Sequence, residues 1–490
     1  MPTRRDFLQR AAAASIAVPG MSRSARAGVE VNDVHSKLNA TNVDRIVAVD
    51  SETTLAGALR AARAEGKAVC VAGGRHAMGG QQFAQDAVLL DTRSMKRILR
   101  LDAAEGIVEV EAGIQWPDLI DGLLTIQHGQ AQPWSIIQKQ TGADRLTLGG
   151  ALGANIHGRG LSFRPIIGDV ESFTLMDADS NTRTCSRTEN ADLFRLAIGG
   201  YGLFGIVTRV RLRLMRRTKV ERVVRLIDVD ELMPAFEQRI ADGFLYGDCQ
   251  FSTDTPSEGF LKTGVFSCYR PLPLDAQMPA DAKELGDDSW RALYYLSHAD
   301  TRRAYETYTS YYLSTSGQRY WSDTHQLSVY IDDYHEALDR QLNAAHRGSE
   351  MITELYVPRA ALGAFLSAVR TDFRQHGVQV IYGTIRLIER DTESFLAWAR
   401  EPWVCTVMNL HVDHTPERLA KAAADFRRLI DRASALGGSY FLTYHRWAER
   451  AQVEACYPQM AEFLRLKKRH DPGETFQSEW YRHYKRMFAP

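Results

Sequence analysis

Val71-Ala72-Gly73-Gly74-Arg75-His76-Ala77-Met78-Gly79-Gly80-Gln81 is a glycine-rich segment that directly follows an apolar run, residues 68–72. That run predicts a short buried strand, and the next apolar run, residues 87–91, predicts another. Too few residues lie between the last glycine and the second strand for a crossover helix. The segment is therefore predicted to be a loop whose backbone N–H groups bind a phosphate without a helix behind them.

A second glycine-rich segment, TLGGALGANIHGRG, occupies residues 147–160. Either segment alone is as compatible with an ordinary turn as with anion binding. Two phosphate-binding loops in one unit predict that the ligand is a diphosphate.

A third glycine pattern, GYGLFG at residues 200–205, matches G-x-G-x-x-G letter for letter. The dinucleotide fingerprint requires a strand before the glycines and a helix after them. Here a helix-like segment, residues 192–198, precedes them and an alternating strand, residues 206–214, follows. The Rossmann interpretation is therefore rejected, and the glycines are assigned to a tight turn against a ligand or a neighbouring strand.

Composition restricts the class of protein. The chain has 490 residues, with 60 Lys and Arg against 60 Asp and Glu, so its formal charge is zero. This balance removes the electrostatic attraction that drives binding to nucleic acid or anionic membranes, and no nucleic-acid partner is expected. Hydrophobic residues at 44% and charged residues at 24% are typical of a soluble globular protein.

Residues 1–27 have the features of an export signal. They contain Thr3-Arg4-Arg5-Asp6-Phe7-Leu8, an apolar run too short to span a bilayer, and Ala25-Arg26-Ala27, a small-x-small cleavage site. The twin arginine resembles the bacterial Tat signal; the alternative is a disordered basic tail. We expect the Tat translocon to export the folded protein, with a mature chain that begins near Gly28 and is periplasmic or secreted.

The six cysteines are scattered and show no metal-ligand spacing, so neither a disulfide scaffold nor a structural metal is predicted. Cys249 and Cys268 can pair in an oxidising compartment. Two separate buried thiols are the favoured interpretation.

The four segments that carry glycine motifs and their flanks resemble the flavoprotein family of vanillyl-alcohol oxidase, cytokinin dehydrogenase, the aldonolactone oxidases and decaprenylphosphoryl-ribose oxidase. Four segments occur in family order and spacing. Two of them are the glycine-rich segments described above, the third is GDVESFTLMDAD at residues 168–179, and the fourth is DLFRLAIGGYGLFGIVTRV at residues 192–210. The resemblance implies an α+β fold, with a two-lobed PCMH-type FAD-binding domain over residues 38–217. A substrate domain with an antiparallel sheet follows over residues 218–457, and the aromatic segment 458–490 is expected to pack back on the FAD domain.

The resemblance implies FAD as the cofactor, bound where the two domains meet. The residues assigned to it are those of the glycine-rich motifs: Gly73, Gly74, Arg75, His76, Ala77, Gly80, Gln81, Thr147, Gly149, Gly150, Gly153, Asn155, His157, Gly158, Gly205, Ile206 and Val207.

Two histidines of these motifs have further implied roles. His76 falls where several family members carry the histidine that is covalently linked to the flavin, although close relatives bind FAD without a link and a loop histidine can simply bond a phosphate. His157 resembles a flavin-proximal histidine of decaprenylphosphoryl-ribose oxidase; the alternative is that it only holds backbone carbonyls beneath the cofactor. Family members with a second, cysteinyl attachment carry a cysteine shortly before the second glycine segment, whereas this chain has Ala143-Asp144-Arg145-Leu146 there, so a second covalent attachment is not expected.

In the second domain, residues 406–412 predict a strand whose period of two places Asn409, His411 and Asp413 on one face. Burying three polar groups without partners would cost a few kcal/mol each, so we expect them to line a cavity. His411, oriented by Asp413, or His445 is the predicted base, because imidazole titrates near neutral pH. Arg386 and Glu354 are candidates for binding hydroxyls or carboxylates.

The resemblance implies an FAD-dependent oxidoreductase that oxidises a CH–OH group of a small alcohol, sugar or lactone. Because the periplasm has no recycled NAD(P) pool, oxygen, a quinone or a cytochrome is the expected electron acceptor. The alternatives are a flavin-dependent reductase of a carbon–carbon double bond and a flavin-binding protein without catalysis. Residues 437–445 lack a lysine found in decaprenylphosphoryl-ribose oxidase, so its substrate is not transferred.

Overall fold

The computed structural model describes residues 28–279, 282–328, 331 and 333–489. The predicted export signal, residues 1–27, lies outside the described residues. The described chain combines helices with four sheets, most of them antiparallel, which confirms the predicted α+β class.

The first part of the described chain, residues 28–216, contains eleven strands and four α-helices. These elements are β1 (Val29–Val31), β2 (Thr41–Val43), β3 (Arg45–Ala48), α1 (Glu52–Ala64), β4 (Val69–Ala72), β5 (Val88–Asp91), β6 (Ile98–Asp102), β7 (Ile107–Glu111), α2 (Trp116–Ile126), β8 (Trp134–Ile136), α3 (Leu148–Ala154), β9 (Val170–Met176), β10 (Thr182–Ser186), α4 (Ala191–Ala197) and β11 (Ile206–Arg216).

A small parallel sheet carries the first glycine-rich segment. Its strand order is β3-β5-β4, and α1 connects β3 to β4. Strands β4 and β5 are parallel neighbours, yet only the loop of residues 73–87 joins them. The segment therefore lies at the carboxyl end of β4 without a helix behind it, as the short spacing predicted.

The second glycine-rich segment differs from its prediction as a loop, because residues 148–154 form the short helix α3. Thr147 caps this helix by accepting a hydrogen bond from the N–H of Gly150. The apolar side chains of Leu148, Ala151 and Leu152 are buried, and their packing holds the glycine-rich turn in place.

A six-stranded antiparallel sheet completes the first part, in the order β10-β9-β11-β7-β6 with β8 paired to β11. Strands β9 and β10 pair as an antiparallel hairpin. The GYGLFG turn follows α4 and precedes β11, so the order of elements excludes the Rossmann fingerprint.

The second part, from residue 219, contains eight strands and nine helices among the described residues. These are β12 (Lys219–Asp228), α5 (Leu232–Ala241), β13 (Tyr246–Phe251), β14 (Thr263–Pro271), α6 (Asp287–Ala299), α7 (Thr301–Ser314), β15 (Arg319–Trp321), α8 (Tyr334–Leu342), β16 (Gly348–Pro358), α9 (Leu362–His376), β17 (Val380–Ile388), β18 (Trp403–Asp413), α10 (Pro416–Ala435), β19 (Ser439–Tyr440), α11 (Arg450–Cys456), α12 (Met460–His470) and α13 (Glu479–Met487).

All eight strands of the second part form one antiparallel sheet in the order β15-β12-β14-β13-β17-β18-β16-β19. The chain passes between the six-stranded and the eight-stranded sheet where β11 ends at Arg216 and β12 begins at Lys219. Along β18, Met408, Leu410 and Val412 are buried and the polar side chains between them are partly exposed. This alternation fits the predicted two-faced strand.

The C-terminal helices return to the first part of the chain. Phe476 forms a parallel bridge with Val69 of β4, and the backbone N–H of Trp480 donates to the carbonyl of Gly80 at 3.2 Å. One continuous apolar cluster extends from the six-stranded sheet through the eight-stranded sheet to α13. Among the described residues, none of the helices combines the length and apolarity needed to cross a membrane.

Candidate active site

A large cavity lies between the glycine-rich segments and the eight-stranded sheet. It encloses about 1500 Å³ of space, part of it open to solvent. It is lined by residues 73–78, by most of residues 146–157, and by Glu354 of β16, Arg386 of β17 and Tyr444. The cavity therefore joins the two parts of the fold.

Most residues assigned to the cofactor meet in this cavity, although they come from three separate segments of the chain. Its lining includes Gly73, Gly74, Arg75, His76, Ala77, Gln81, Thr147, Gly149, Gly150, Gly153, His157, Gly205, Ile206 and Val207.

The other three assigned residues support the lining from behind. The carbonyl of Gly80 accepts from α13, and the N–H of Gly158 donates to Gln138 Oε1. Asn155, in the left-handed conformation, donates through Nδ2 to Asp391 Oδ2 at 2.9 Å.

The two glycine-rich segments touch each other, and this contact requires glycine. A Cβ atom on Gly73 would lie 2.0 Å from Thr147 Oγ1, and one on Gly74 would lie 2.3 Å from the carbonyl oxygen of Arg145. Any larger side chain would force the segments apart, so these glycines close one wall of the cavity.

The first segment presents unpaired donors to the cavity. Among the described residues, the backbone N–H groups of Gly74 and Ala77 donate to no protein acceptor. Arg75 between them has a positive φ of 60°, and its Nε is buried without a partner. Such a turn of backbone and guanidinium donors suits a phosphate.

Other unpaired polar atoms also belong to residues that line the cavity. Gln82 Oε1, Thr141 Oγ1 and Arg386 Nε are buried without a hydrogen-bond partner in the described structure. Because a buried polar group left unpaired costs about 1–3 kcal/mol, these atoms indicate a polar ligand in this cavity.

His76 is held against a second histidine. Its Nδ1 lies 2.9 Å from Nε2 of His35, another residue of the cavity lining. Burial, together with the neighbouring His35, lowers the pKa of His76 to about 3. At neutral pH His76 is therefore an uncharged, nucleophilic imidazole.

His157 and Glu354 form the most buried ionisable pair of the lining. His157 Nε2 lies 3.0 Å from Glu354 Oε2, and His157 Nδ1 lies 3.1 Å from the carbonyl oxygen of Gly158. A carbonyl only accepts, so Nδ1 carries a proton, and the contact with the carboxylate requires a second proton. The geometry therefore corresponds to an imidazolium paired with a carboxylate.

Three further groups stabilise the Glu354 carboxylate. Tyr444 donates its hydroxyl to Oε1 at 2.8 Å, and Tyr356 donates to Oε2 at 2.9 Å. Burial opposes ionisation, but the charge and hydrogen bond of His157, the charge of Arg386 and the Tyr444 bond outweigh it. They lower the pKa of Glu354 to about 2. Glu354 is an anion at neutral pH.

Trp398 fixes the position of His157. Its ring lies against the imidazole, with centroids 5.2 Å apart, and against Tyr356 at 4.7 Å. Its indole N–H donates to the carbonyl of Asn155 at 2.9 Å. Trp398 thus contacts both the segment that carries His157 and Tyr356, whose hydroxyl donates to Glu354.

The residues predicted to be catalytic do not line this cavity. Asn409, His411 and Asp413 share one face of β18, as the alternation predicted. Asn409 pairs with Ile352, which lines the cavity, and His411 pairs with Glu350, two residues further along β16. His411 therefore lies just beyond the cavity lining, and its role as the base stays a prediction.

His445 is also outside the cavity lining. It is buried among Phe426, Tyr440 and Trp447, and Nδ1 accepts from the Trp447 N–H at 3.3 Å. Burial lowers its pKa to about 3. Its adjacent residue, Tyr444, reaches the cavity instead.

Sequence reasoning missed Tyr444 and His35 as lining residues. A usable signal existed for Glu354, a glutamate within the apolar stretch of β16, because a buried carboxylate needs partners. Tyr444 and His35 lie outside regular elements, where periodicity gives no direction for a side chain.

Comparisons with known proteins agree with this geometry. The model of the FAD binding domain matches residues 43–186, which include both glycine-rich segments. Cytokinin dehydrogenase 7 of Oryza sativa subsp. japonica is 32% identical over 206 residues, covering 39% of this chain and 38% of that protein. L-gulonolactone oxidase of Mus musculus is 32% identical over 156 residues, covering 32% and 33% respectively.

Cytokinin dehydrogenase 4 of Oryza sativa subsp. japonica matches a longer part, with 27% identity over 259 residues, 50% of this chain and 46% of that protein. The chain thus spans a third to just under half of the length of these relatives.

The chain contains an FAD-binding domain, and FAD is its cofactor. The residues present fit it: the donors of Gly74, Arg75 and Ala77 suit its diphosphate. The unpaired polar atoms of Gln82 and Thr141 are suited to its remaining polar groups.

Proposed function

We propose that this FAD-binding protein is an oxidoreductase that oxidises a CH–OH group of a small alcohol, sugar or lactone in the cavity. FAD, when bound, supplies the acceptor for a hydride. The observation that carries the proposal is Glu354, a buried carboxylate that lines the cofactor cavity and is bonded to Tyr444 and His157.

Glu354 and Tyr444 form a path for the hydroxyl proton. A substrate hydroxyl bonded to Tyr444 Oη gives its proton to that oxygen, and Tyr444 passes its own proton to Glu354 Oε1 over 2.8 Å. The base can be weak, because the hydroxyl oxygen becomes strongly acidic as the hydride leaves its carbon. A carboxylate that stays ionised at any working pH therefore suffices.

Arg386 and His157 complete the polar wall. The Nε of Arg386 is buried without a protein partner in the described structure, so it is available to a substrate hydroxyl or carboxylate. His157 keeps the Glu354 carboxylate in place through its 3.0 Å contact. The positive charges of Arg386 and His157 favour substrates that are electron-rich or anionic where they contact this polar wall.

The test is reduction of the bound flavin under anaerobic conditions. The purified protein is mixed with polyols, aldonolactones, aromatic alcohols and sterols, and bleaching of the flavin absorbance is followed. One substrate class should reduce the flavin and be recovered as the corresponding carbonyl compound. If only alkene-containing compounds react, and only with flavin that was reduced beforehand, the protein is a reductase of double bonds.

We also propose that the protein is exported by the twin-arginine route and works in the periplasm or outside the cell. The support is the sequence of residues 1–27. In that compartment the reduced flavin would be reoxidised by oxygen, a quinone or a cytochrome. Comparing these three acceptors in stopped-flow reoxidation would identify which one reacts fastest.

A further inference from the structure

Glu350 is the centre of a second ionisable cluster, away from the Glu354 site. His298 Nε2 lies 3.0 Å from Glu350 Oε1, and His411 Nδ1 lies 3.6 Å from the same oxygen. Side-chain exposure is 3% for both His298 and Glu350 and 19% for His411. The three residues come from α6, β16 and β18, so only the folded chain brings them together.

The hydrogen bonds of the two rings fix which nitrogen carries a proton. His298 Nδ1 lies 2.8 Å from the carbonyl oxygen of Tyr294, and His411 Nε2 lies 3.3 Å from Asp413 Oδ1. Both partners accept, so these nitrogens are the donors. The other two nitrogens, His298 Nε2 and His411 Nδ1, therefore face the Glu350 carboxylate, as hydrogen-bond donors when the rings are protonated and as metal ligands when they are not.

Glu350 is oriented in the same way. Its other oxygen, Oε2, accepts from the Tyr334 hydroxyl and lies 3.0 Å from His335 Nδ1. This leaves Oε1 facing His298 Nε2 and His411 Nδ1. Protons on these two nitrogens can donate to Oε1, and a divalent cation can take the place of those protons, because a histidine that binds a metal ion releases the proton from the ligating nitrogen.

We propose that His298, Glu350 and His411 bind a divalent transition-metal ion of the zinc type. The three ligand atoms lie within 4.8 Å of one another. Bonds of 2.0–2.1 Å to a tetrahedral ion would place neighbouring ligand atoms about 3.3 Å apart. This distance lies between the observed distances from Glu350 Oε1 to His298 Nε2, 3.0 Å, and to His411 Nδ1, 3.6 Å. Imidazole and carboxylate are ligands that such ions prefer.

The partners behind the ligands support a metal site. In metal centres the second nitrogen of a ligating histidine donates to a carbonyl or a carboxylate, which orients the ring. Here Tyr294 supplies a backbone carbonyl to His298, and Asp413 supplies a carboxylate to His411. Spacing rules could not reveal the site, because its ligands are 52 and 61 residues apart in sequence, from 298 to 350 and from 350 to 411.

The test uses the full, FAD-loaded protein without a polyhistidine tag. Bound metal is removed with a chelator, Zn²⁺ is added by equilibrium dialysis, and metal per chain is measured by elemental analysis. We expect one Zn²⁺ per chain. Glu350→Gln, which keeps the size of the side chain, and His411→Ala should each weaken binding on the order of 100-fold or more.

His414→Ala is the matched control. His414 lies next to the cluster on the same strand end, but its Nε2 is bonded to Ser349 Oγ at 2.7 Å, and we expect unchanged zinc binding. Flavin absorbance checks the fold of each variant. If a cluster variant does not fold, Co²⁺ added to the unmodified protein must give d–d bands that Zn²⁺ abolishes.

Absence of stoichiometric metal, or zinc binding that survives in Glu350→Gln and His411→Ala, overturns the proposal. The readout is metal content, so its outcome does not depend on whether the proposed oxidation takes place.

Discussion

Glu354 is the side chain on which proton removal depends in our proposal. Glu354→Gln keeps the volume and the Tyr444 contact but removes the negative charge that accepts the proton. We expect the rate of flavin reduction by the true substrate to fall about 10²–10⁴-fold, with flavin content unchanged. Anaerobic stopped-flow measurement with the substrate found by screening gives this rate.

Two other variants separate this effect from general damage. Glu111 of β7 is equally buried and paired with Arg97, and Glu111→Gln should leave the rate unchanged. Tyr444→Phe removes the hydroxyl that lines the cavity, whereas Tyr356→Phe removes one that bonds Glu354 from outside the lining. A rate loss for Tyr356→Phe as large as for Tyr444→Phe would contradict the proton path.

His76 is the predicted point of covalent flavin attachment, and its low pKa makes it a nucleophile at neutral pH. Acid precipitation of the unmodified protein should therefore leave the flavin on the polypeptide. His76→Ala should release it into the supernatant, whereas His128→Ala, a change on the surface, should not. Flavin in the supernatant of the unmodified protein would show that no link exists.

Among the structural elements, strand β18 shows what the sequence could and could not predict. Alternation correctly separated Leu410 from its polar neighbours, because one face of the strand packs against the core. It could not show how far along the strand the cavity extends. That limit depends on where the glycine-rich segments contact the eight-stranded sheet, which is a long-range contact, so alternation could not show that His411 lies just beyond the lining.

Helix α3 shows a different limit. Three of the eight residues in the TLGGALGA stretch are glycine, and each glycine disfavours a helix by roughly 1 kcal/mol relative to alanine. Burial of Leu148 and Leu152 and the Thr147 cap stabilise the helix in this fold. The ligand-binding segments were identified from composition, but their backbone conformation was decided by packing.

Helix α13 closes the cavity region from outside, through Trp480. This side chain is fully buried, contacts Tyr201 and donates to the carbonyl of Leu442. Trp480→Ala should lower the free energy of unfolding by about 3–5 kcal/mol and weaken FAD retention, because residues 80 and 442–443 would lose their support. Urea unfolding and flavin release on gel filtration measure the two effects.

Phe488, at the partly exposed end of the same helix, is the control for this change. Phe488→Ala should cost clearly less stability and leave FAD bound. Equal effects of the two variants would show that the helix contributes only general burial, without a specific role beside the cofactor.

At the scale of the whole protein, the proposed export signal in residues 1–27 should set where the flavin-loaded protein is found. Changing Arg4 and Arg5 to Lys should keep folded, flavin-loaded protein in the cytoplasm, because the twin arginine is the feature that resembles the Tat signal. Flavin in cell fractions provides the measurement, and Arg10→Lys in the same segment is the control. An unchanged periplasmic yield for the double variant would exclude the Tat route.

The stability of the whole molecule should also depend on pH through buried neutral histidine. His445 has a folded-state pKa of about 3, far below its value in an unfolded chain. Between roughly pH 6.5 and 3 the unfolded chain therefore binds a proton that the folded chain cannot, and stability falls as pH falls, by about 1.4 kcal/mol per pH unit for this group. Asp169, whose pKa burial raises to about 7, acts in the opposite direction.

His445→Phe isolates this effect, because it keeps a ring among Phe426, Tyr440 and Trp447 but has no titratable group. Loss of the hydrogen bond from the Trp447 N–H lowers stability by an amount that does not vary with pH, so the slope is the informative quantity. Between pH 6.5 and 4.5 the unfolding free energy of the variant should fall less than that of the unmodified protein, by about 2–3 kcal/mol. Urea titrations at several pH values measure both slopes, with the exposed His128→Gln as control. Parallel slopes for the unmodified protein and His445→Phe would mean that His445 gains its proton in the folded state as readily as in the unfolded chain.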